Sequence, residues 1–265
     1  MENAIPMENL NEDKKFIKLR RFNLIMFFLH LGQGIAMLLL STDFKLPVTT
    51  AFVEFNPAAG KLEPVLKTAF ELPIGPLVAG FLFLSALAHL LISLPGINAW
   101  YVRNLKKGMN LARWIEYSLS SSVMIVVIAM LVGIYDGISL LVIFFLNAMM
   151  ILFGWIMEVH NQTTPKTNWT SFIFGCIAGA IPWVAVGISL FSAGGATGKP
   201  PTFVYWIFFS IFVFFNIFAI NMILQYKKVG KWQNYLYGEK VYIILSLVAK
   251  SLLAWQVFAG TLRPV

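Results

Sequence analysis

The chain has 265 residues, of which 58% are hydrophobic and only 12% charged. Soluble domains run at about 25% charged, so the composition excludes an ordinary soluble enzyme and points to an integral membrane protein. A formal charge of +8 does not restore nucleic acid as a partner: the basic residues sit in short connections between apolar runs, where they set topology and meet lipid headgroups.

A hydrocarbon core of about 30 Å needs about 20 apolar residues in a helix. In chain order, seven runs qualify, at 22–41, 72–95, 111–134, 138–157, 170–192, 203–226 and 241–260. They predict a single all-α domain over residues 1–265, a seven-helix bundle that crosses the cell membrane many times. The first run has polar sequence before it and no small-residue cleavage site after it, so it reads as a retained helix. Residues 42–71 form the one long connection. Within it, Val48 to Phe55 is rich in β-branched and aromatic residues and Asn56-Pro57-Ala58-Ala59-Gly60 is a turn sequence, which predicts a β-hairpin over 48–69. There is no internal repeat. The single cysteine, Cys176, allows no intramolecular disulfide.

Lys and Arg decide the orientation. The N-terminal segment and the second, fourth and sixth connections carry 14 of the 20 basic residues, including Lys227, Lys228, Lys231 and Lys240; the opposite side carries 5, and Lys250 is left inside the bundle. The N-terminus is therefore expected in the cytoplasm and the C-terminus outside, with the hairpin in an extracellular loop. The triplets Asn161-Gln162-Thr163 and Asn168-Trp169-Thr170 then face the cytoplasm and are chance matches to a glycosylation signal.

Lys250 is the most informative residue. It stands near the middle of the seventh run, where a charged lysine costs about 2.5–3.5 kcal/mol. It needs a partner, a lowered pKa or a covalent modification. A structural ion pair is the bland account; a Schiff-base lysine is the sharper one. Glu116, in the third run, is the only carboxylate well inside a run as bounded above, and a buried cation needs a buried anion. Taken alone, it could be a helix-start glutamate favoured by the dipole. Arg113, Glu116 and Ser120 share one helical face. Ser246, His30 and His89 fall at similar depth and are expected to complete a polar cluster around the pair, although either histidine could simply cap a backbone carbonyl. Tyr117, Trp183, Phe215 and Trp255 could line a slot for a polyene, with Gly154 as a close-approach point and Asn147 as a polar contact; each aromatic alone is more often core packing. Glu158, at the end of the fourth run, is expected to be solvated.

The segment Arg113-Trp114-Ile115-Glu116-Tyr117-Ser118-Leu119-Ser120, the Lys250-Ser251 pair, the long first loop and the inverted sense of the seven helices together resemble the heliorhodopsins. The resemblance covers residues 14 to 260. It implies all-trans retinal held covalently at Lys250 and Glu116 as counterion. It further implies Ser120, Ser246, Arg113, His30 and His89 in the hydrogen-bonded surroundings, a homodimer, and a slow photocycle suited to sensing. Proton pumps of the wider group carry a carboxylate, a threonine and a second carboxylate at i, i+4 and i+11; here those positions are Glu116, Ser120 and Val127, so the internal proton donor is missing.

A light sensor that signals to an unidentified cytoplasmic partner is the leading expectation. The alternatives are a light-gated proton conductance or transporter using the same pair, and a retinal-free transporter with a substrate-linked ion pair. No Ser-His-Asp set, metal-spaced cluster or glycine-rich phosphate loop is present, so no catalytic or metal-binding residue is assigned and no enzyme is expected.

Overall fold

The computed structural model of the protein describes residues 7–192 and 199–264. Among the described residues, seven helices are long and apolar enough to cross a membrane: α1 (Met7–Leu40), α2 (Ile74–Leu91), α4 (Leu111–Leu131), α5 (Gly137–His160), α6 (Thr170–Ser192), α7 (Thr202–Tyr226) and α8 (Tyr235–Val257). Each apolar run is one of them. An additional short helix, α3 (Pro95–Lys106), lies in the second connection.

The boundaries differ from the sequence-based ones where polar residues continue or interrupt a helix. The second run stops early because Pro95 forces Leu94 into extended backbone, φ −71° and ψ 143°. Proline then suits the first position of the next helix, so Pro95, the last residue of the run, opens α3. Six residues earlier than expected, α8 begins where the Asn234 side chain accepts the Leu236 N–H at 3.1 Å. That extension brings Glu239 inside the helix. On α3, burial pushes the Tyr101 phenol well above its usual pKa.

The hairpin is longer than expected at both ends. Strand β1 (Lys45–Asn56) pairs antiparallel with β2 (Lys61–Pro73), from Lys45 opposite Pro73 to Asn56 opposite Lys61. Its turn is closed by the Asn56 side chain, which accepts the N–H groups of Ala58 and Ala59, and by Gly60 at φ +63°, where an L side chain is strained. At its base the Thr49 N–H donates to the Tyr135 carbonyl at 2.8 Å, tying the hairpin to the α4–α5 connection.

Helix α4 is the most buried of the seven spans and packs against α2, α5, α6 and α7. Helix α8 closes the bundle against α7, α1 and α2. The half nearer the hairpin is filled by one apolar cluster that includes Leu82, Ile125, Ile128, Val186, Ile207 and Leu253. Outward faces are also apolar: Leu39 is 79% exposed. That inverts the pattern of a soluble bundle and is what a lipid solvent allows.

Candidate functional site

Lys250 projects from α8 into the bundle and is only 3% exposed. Its Nζ donates to Glu116 Oε1 at 2.9 Å and to Ser246 Oγ, one turn earlier, at 2.8 Å. The expected trio is thus assembled by two helices that run in the same direction. Ser85, on α2, also donates to Glu116 Oε1, at 2.6 Å. The Tyr117 ring lies 5.0 Å from Nζ, its hydroxyl donating to the Tyr242 carbonyl at 2.9 Å. In a low-dielectric interior this charge pair is held by geometry and by neutral donors together, and removing one member leaves an uncompensated charge.

The remaining polar residues divide into two groups. His30 and His89 stack with centroids 5.6 Å apart and rings 12° from parallel. His89 Nδ1 meets Asn23 Oδ1 at 2.9 Å, while both His30 nitrogens and Ser120 Oγ are buried without a protein hydrogen-bond partner. Neither histidine hydrogen-bonds the ion pair, although both lie close enough to feel its charges. Arg113 belongs elsewhere. Its guanidinium donates to Glu158 Oε1 at 2.6 Å and to Glu239 Oε1, and it lies over the rings of both Trp114 and Tyr242. Sharing a helical face with Glu116 does not bring Arg113 to it, because the two carboxylates from α5 and α8 hold the guanidinium. Glu158 is buried, not solvated: it also accepts from the Asn110 N–H at 2.8 Å and from Trp114 Nε1 at 2.6 Å.

Beside the Lys250 nitrogen an apolar cavity is lined by Met124, Met150, Phe215 and Phe218, with Tyr117 and Ser121. A second cavity shares Tyr117, Met150, Phe215 and Phe218 and extends to Gly154. Together they form a slot between α4, α5, α6 and α7. Gly154 is a close-approach point, since a Cβ there would stand 2.5 Å from the Trp114 ring. Asn147 donates to Ser121 at 2.8 Å and to Ser122 at 3.0 Å. Trp183 packs edge-on against Phe215 at 5.3 Å. Trp255 does not join this group: it is 37% exposed and its Nε1 donates to Gln33 on the outside of the bundle.

The heliorhodopsin family model matches residues 19–262. The chain belongs to the heliorhodopsin family. Among solved structures, heliorhodopsin shape is shared with a light-driven proton pump from Leptosphaeria maculans, at 14% identity over 91% of this chain and 94% of that one, with a TM-score of 0.64. At that identity the likeness shows the fold alone. Among curated proteins no sequence matches the chain. Heliorhodopsin membership and the rhodopsin-like bundle support a retinal photoreceptor-type membrane protein. The residues fit such a chromophore: a buried primary amine, paired with a carboxylate, abuts an apolar slot walled by aromatic and methionine side chains.

Three participants escaped the sequence reading. Ser85 and Asn23 are small polar residues within apolar stretches, and of the two only Ser85 carried a signal, its place one turn before His89. Glu239 carried a stronger one: Asn234 is a good helix N-cap, which would have started the last helix early enough to include it.

Proposed function

We propose that this heliorhodopsin is a light sensor that carries all-trans retinal on Lys250, with Glu116 as counterion, and that it runs a slow photocycle without pumping ions. The observation that carries the reading is the buried Lys250–Glu116 contact of 2.9 Å beside an apolar slot. Bound there, all-trans retinal supplies visible absorption and a double bond that light isomerises.

The chain's own residues do the rest. Glu116, supported by Ser85, holds a positive charge at the Lys250 nitrogen, and Ser246 orients that nitrogen. Met124, Phe215 and Phe218 exclude water from the slot. A proton that leaves the nitrogen meets Glu116 first, with His89 and His30 beyond it. On the hairpin side of Lys250 the described interior holds no buried acidic or basic side chain, and Val127 is fully buried there. A one-way pump needs ionisable groups on both sides of the nitrogen, so the asymmetry supports sensing.

In the proposed orientation the N-terminus lies in the cytoplasm, on the strength of the 14-to-5 distribution of basic residues. Lys227, Lys228, Lys231 and Lys240 then present a basic face to a cytoplasmic partner. A homodimer is supported by the hairpin, whose Val53 and Leu66 are 63% and 69% exposed outside the spans.

The test is to add all-trans retinal to membranes containing the chain. A visible band is expected in wild type and none in Lys250→Ala, with insertion unchanged; Lys250→Arg stays charged but cannot form the linkage. A wild-type band in either variant overturns the assignment. Sustained photocurrent under voltage clamp would replace the sensor by a conductance or pump, and an external N-terminal tag would reverse the orientation.

A further inference from the structure

On the outer face of the bundle, α2, α3 and α4 leave an apolar groove walled by Leu87, Ala88, Leu91, Trp100, Ala112 and Ile115. Leu87, Leu91 and Ile115 are exposed, so the groove opens sideways onto the surface that lipid covers. Ala88 and Ala112 contribute only methyl groups to its wall. Its one charged lining residue is Glu116.

The Glu116 side chain is 9% exposed. Both hydrogen bonds it accepts, from Ser85 and Lys250, fall on Oε1, and none from the described residues falls on Oε2. Ser120 Oγ lies near the carboxylate but makes no hydrogen bond. A carboxylate oxygen without a donor is costly wherever water is scarce. The carboxylate that lines the membrane-facing groove therefore has an acceptor to offer.

We propose that the groove binds a membrane-dissolved molecule with an apolar tail and a neutral hydroxyl head, a long-chain alcohol, whose hydroxyl donates to Glu116 Oε2. A neutral donor fits better than an ammonium. Lys250 and Glu116 already balance each other, and a second cation would bring an unpaired charge into hydrocarbon. The tail runs past Ala88 and Ala112 towards Leu91 and Trp100 at the other end of the groove. From Leu84 to Leu91 is seven residues, about 10 Å of helix.

The experiment uses the full chain in lipid nanodiscs, without retinal, and three diazirine-tagged probes of equal length: an alcohol, an alkane and a primary amine. Labelled peptides are mapped by mass spectrometry. The alcohol is expected to label the segments around Ala88 and Ala112 about five-fold above the alkane, the worth of one net hydrogen bond. Ala88→Trp, which fills the groove, should abolish that labelling, and Ala112→Leu should weaken it; Leu141→Trp, on the exposed face of α5, should not. Equal labelling by alkane, preference for the amine, labelling that survives both groove variants, or cross-linking of a second copy through this face each overturns the proposal. Because the labelling is read on the retinal-free chain, its failure is distinct from failure of the Lys250 assignment.

Discussion

Ser85 Oγ donates to Glu116 Oε1 at 2.6 Å, so a neutral hydroxyl from α2 and a charged amine from α8 converge on one carboxylate oxygen of α4. Three helices are thereby tied at one atom. Ser85 is 1% exposed, and no solvent can replace its bond. Ser85→Ala is expected to destabilise the retinal-free protein by about 1–3 kcal/mol, the cost of leaving a buried acceptor short of a donor. Ser85→Thr keeps the hydroxyl and should recover most of the loss. Thermal melting in one detergent decides it; an Ala variant as stable as wild type removes Ser85 from the site.

Glu116→Gln bears on colour. A carboxylate near the Lys250 nitrogen holds positive charge at that end of the chromophore, and a neutral amide of the same shape releases it. The retinal-loaded variant is expected to absorb at longer wavelength than wild type. Glu158→Gln and Glu239→Gln should leave the maximum nearly unchanged, because those carboxylates are held by Arg113 and not by Lys250. Absorption spectra of the three variants at neutral pH make the comparison. A shift in Glu239→Gln as large as in Glu116→Gln would move the counterion.

Much of the fold was legible because hydropathy reads what lipid demands, about 20 apolar residues per crossing. Lys250 was legible for the converse reason: a mid-helix charge in hydrocarbon needs an account. Hydropathy was blind where a helix leaves the apolar zone. It cut α8 at residue 241, losing Glu239, and it carried the second run on to Pro95, four residues past the end of α2 at Leu91. Helical spacing placed Arg113 and Glu116 on one face, but spacing cannot tell which partner from another helix reaches a side chain. Arg113 turned to Glu158 and Glu239 for that reason. Trp255 failed in a similar way: the sequence gives its depth, not its azimuth, and its ring faces outward.

Acid should loosen the start of α5. Asp136 caps that helix, its Oδ2 accepting both the N–H and the hydroxyl of Ser139 at 2.7 Å, and these bonds hold its carboxyl below the usual aspartate pKa. A depressed value means that the stabilisation is present above the ordinary carboxylate range and is lost as pH falls through the depressed one. Protection of the Ser139 amide against hydrogen exchange, relative to an Asp136→Asn variant, is expected to fall from about pH 5 downward. Asp136→Ala should cost near the low end of the 0.5–2 kcal/mol typical of caps, since the group is exposed. A wild-type protection ratio independent of pH would refute the cap's role.

The Arg113 cluster should be the most sensitive electrostatic feature outside the Lys250 pair. Arg113 is 6% exposed and its two carboxylates 2% and 0%. Glu158 is further held by Asn110, Trp114 and Tyr235, the last at 3.3 Å; Glu239 accepts from Asn110 Nδ2 at 2.6 Å and from Gln225 at 3.2 Å. Removing the arginine leaves two buried carboxylates without a cation, so Arg113→Met is expected to cost about 3–5 kcal/mol. Replacing the carboxylates as well removes the charge that made the loss expensive. The triple variant Arg113→Met, Glu158→Gln, Glu239→Gln should therefore be more stable than Arg113→Met alone, with a coupling energy of roughly 1–3 kcal/mol. As a control, Asp43→Ala breaks the exposed Lys45–Asp43 pair at 2.9 Å, whose side chains are 40% and 77% exposed, and should leave stability close to that of wild type. Unfolding of all four proteins by the same detergent titration gives the energies. If the triple variant is no more stable than Arg113→Met, the arginine acts through its stacking on Trp114 and Tyr242, not through its charge.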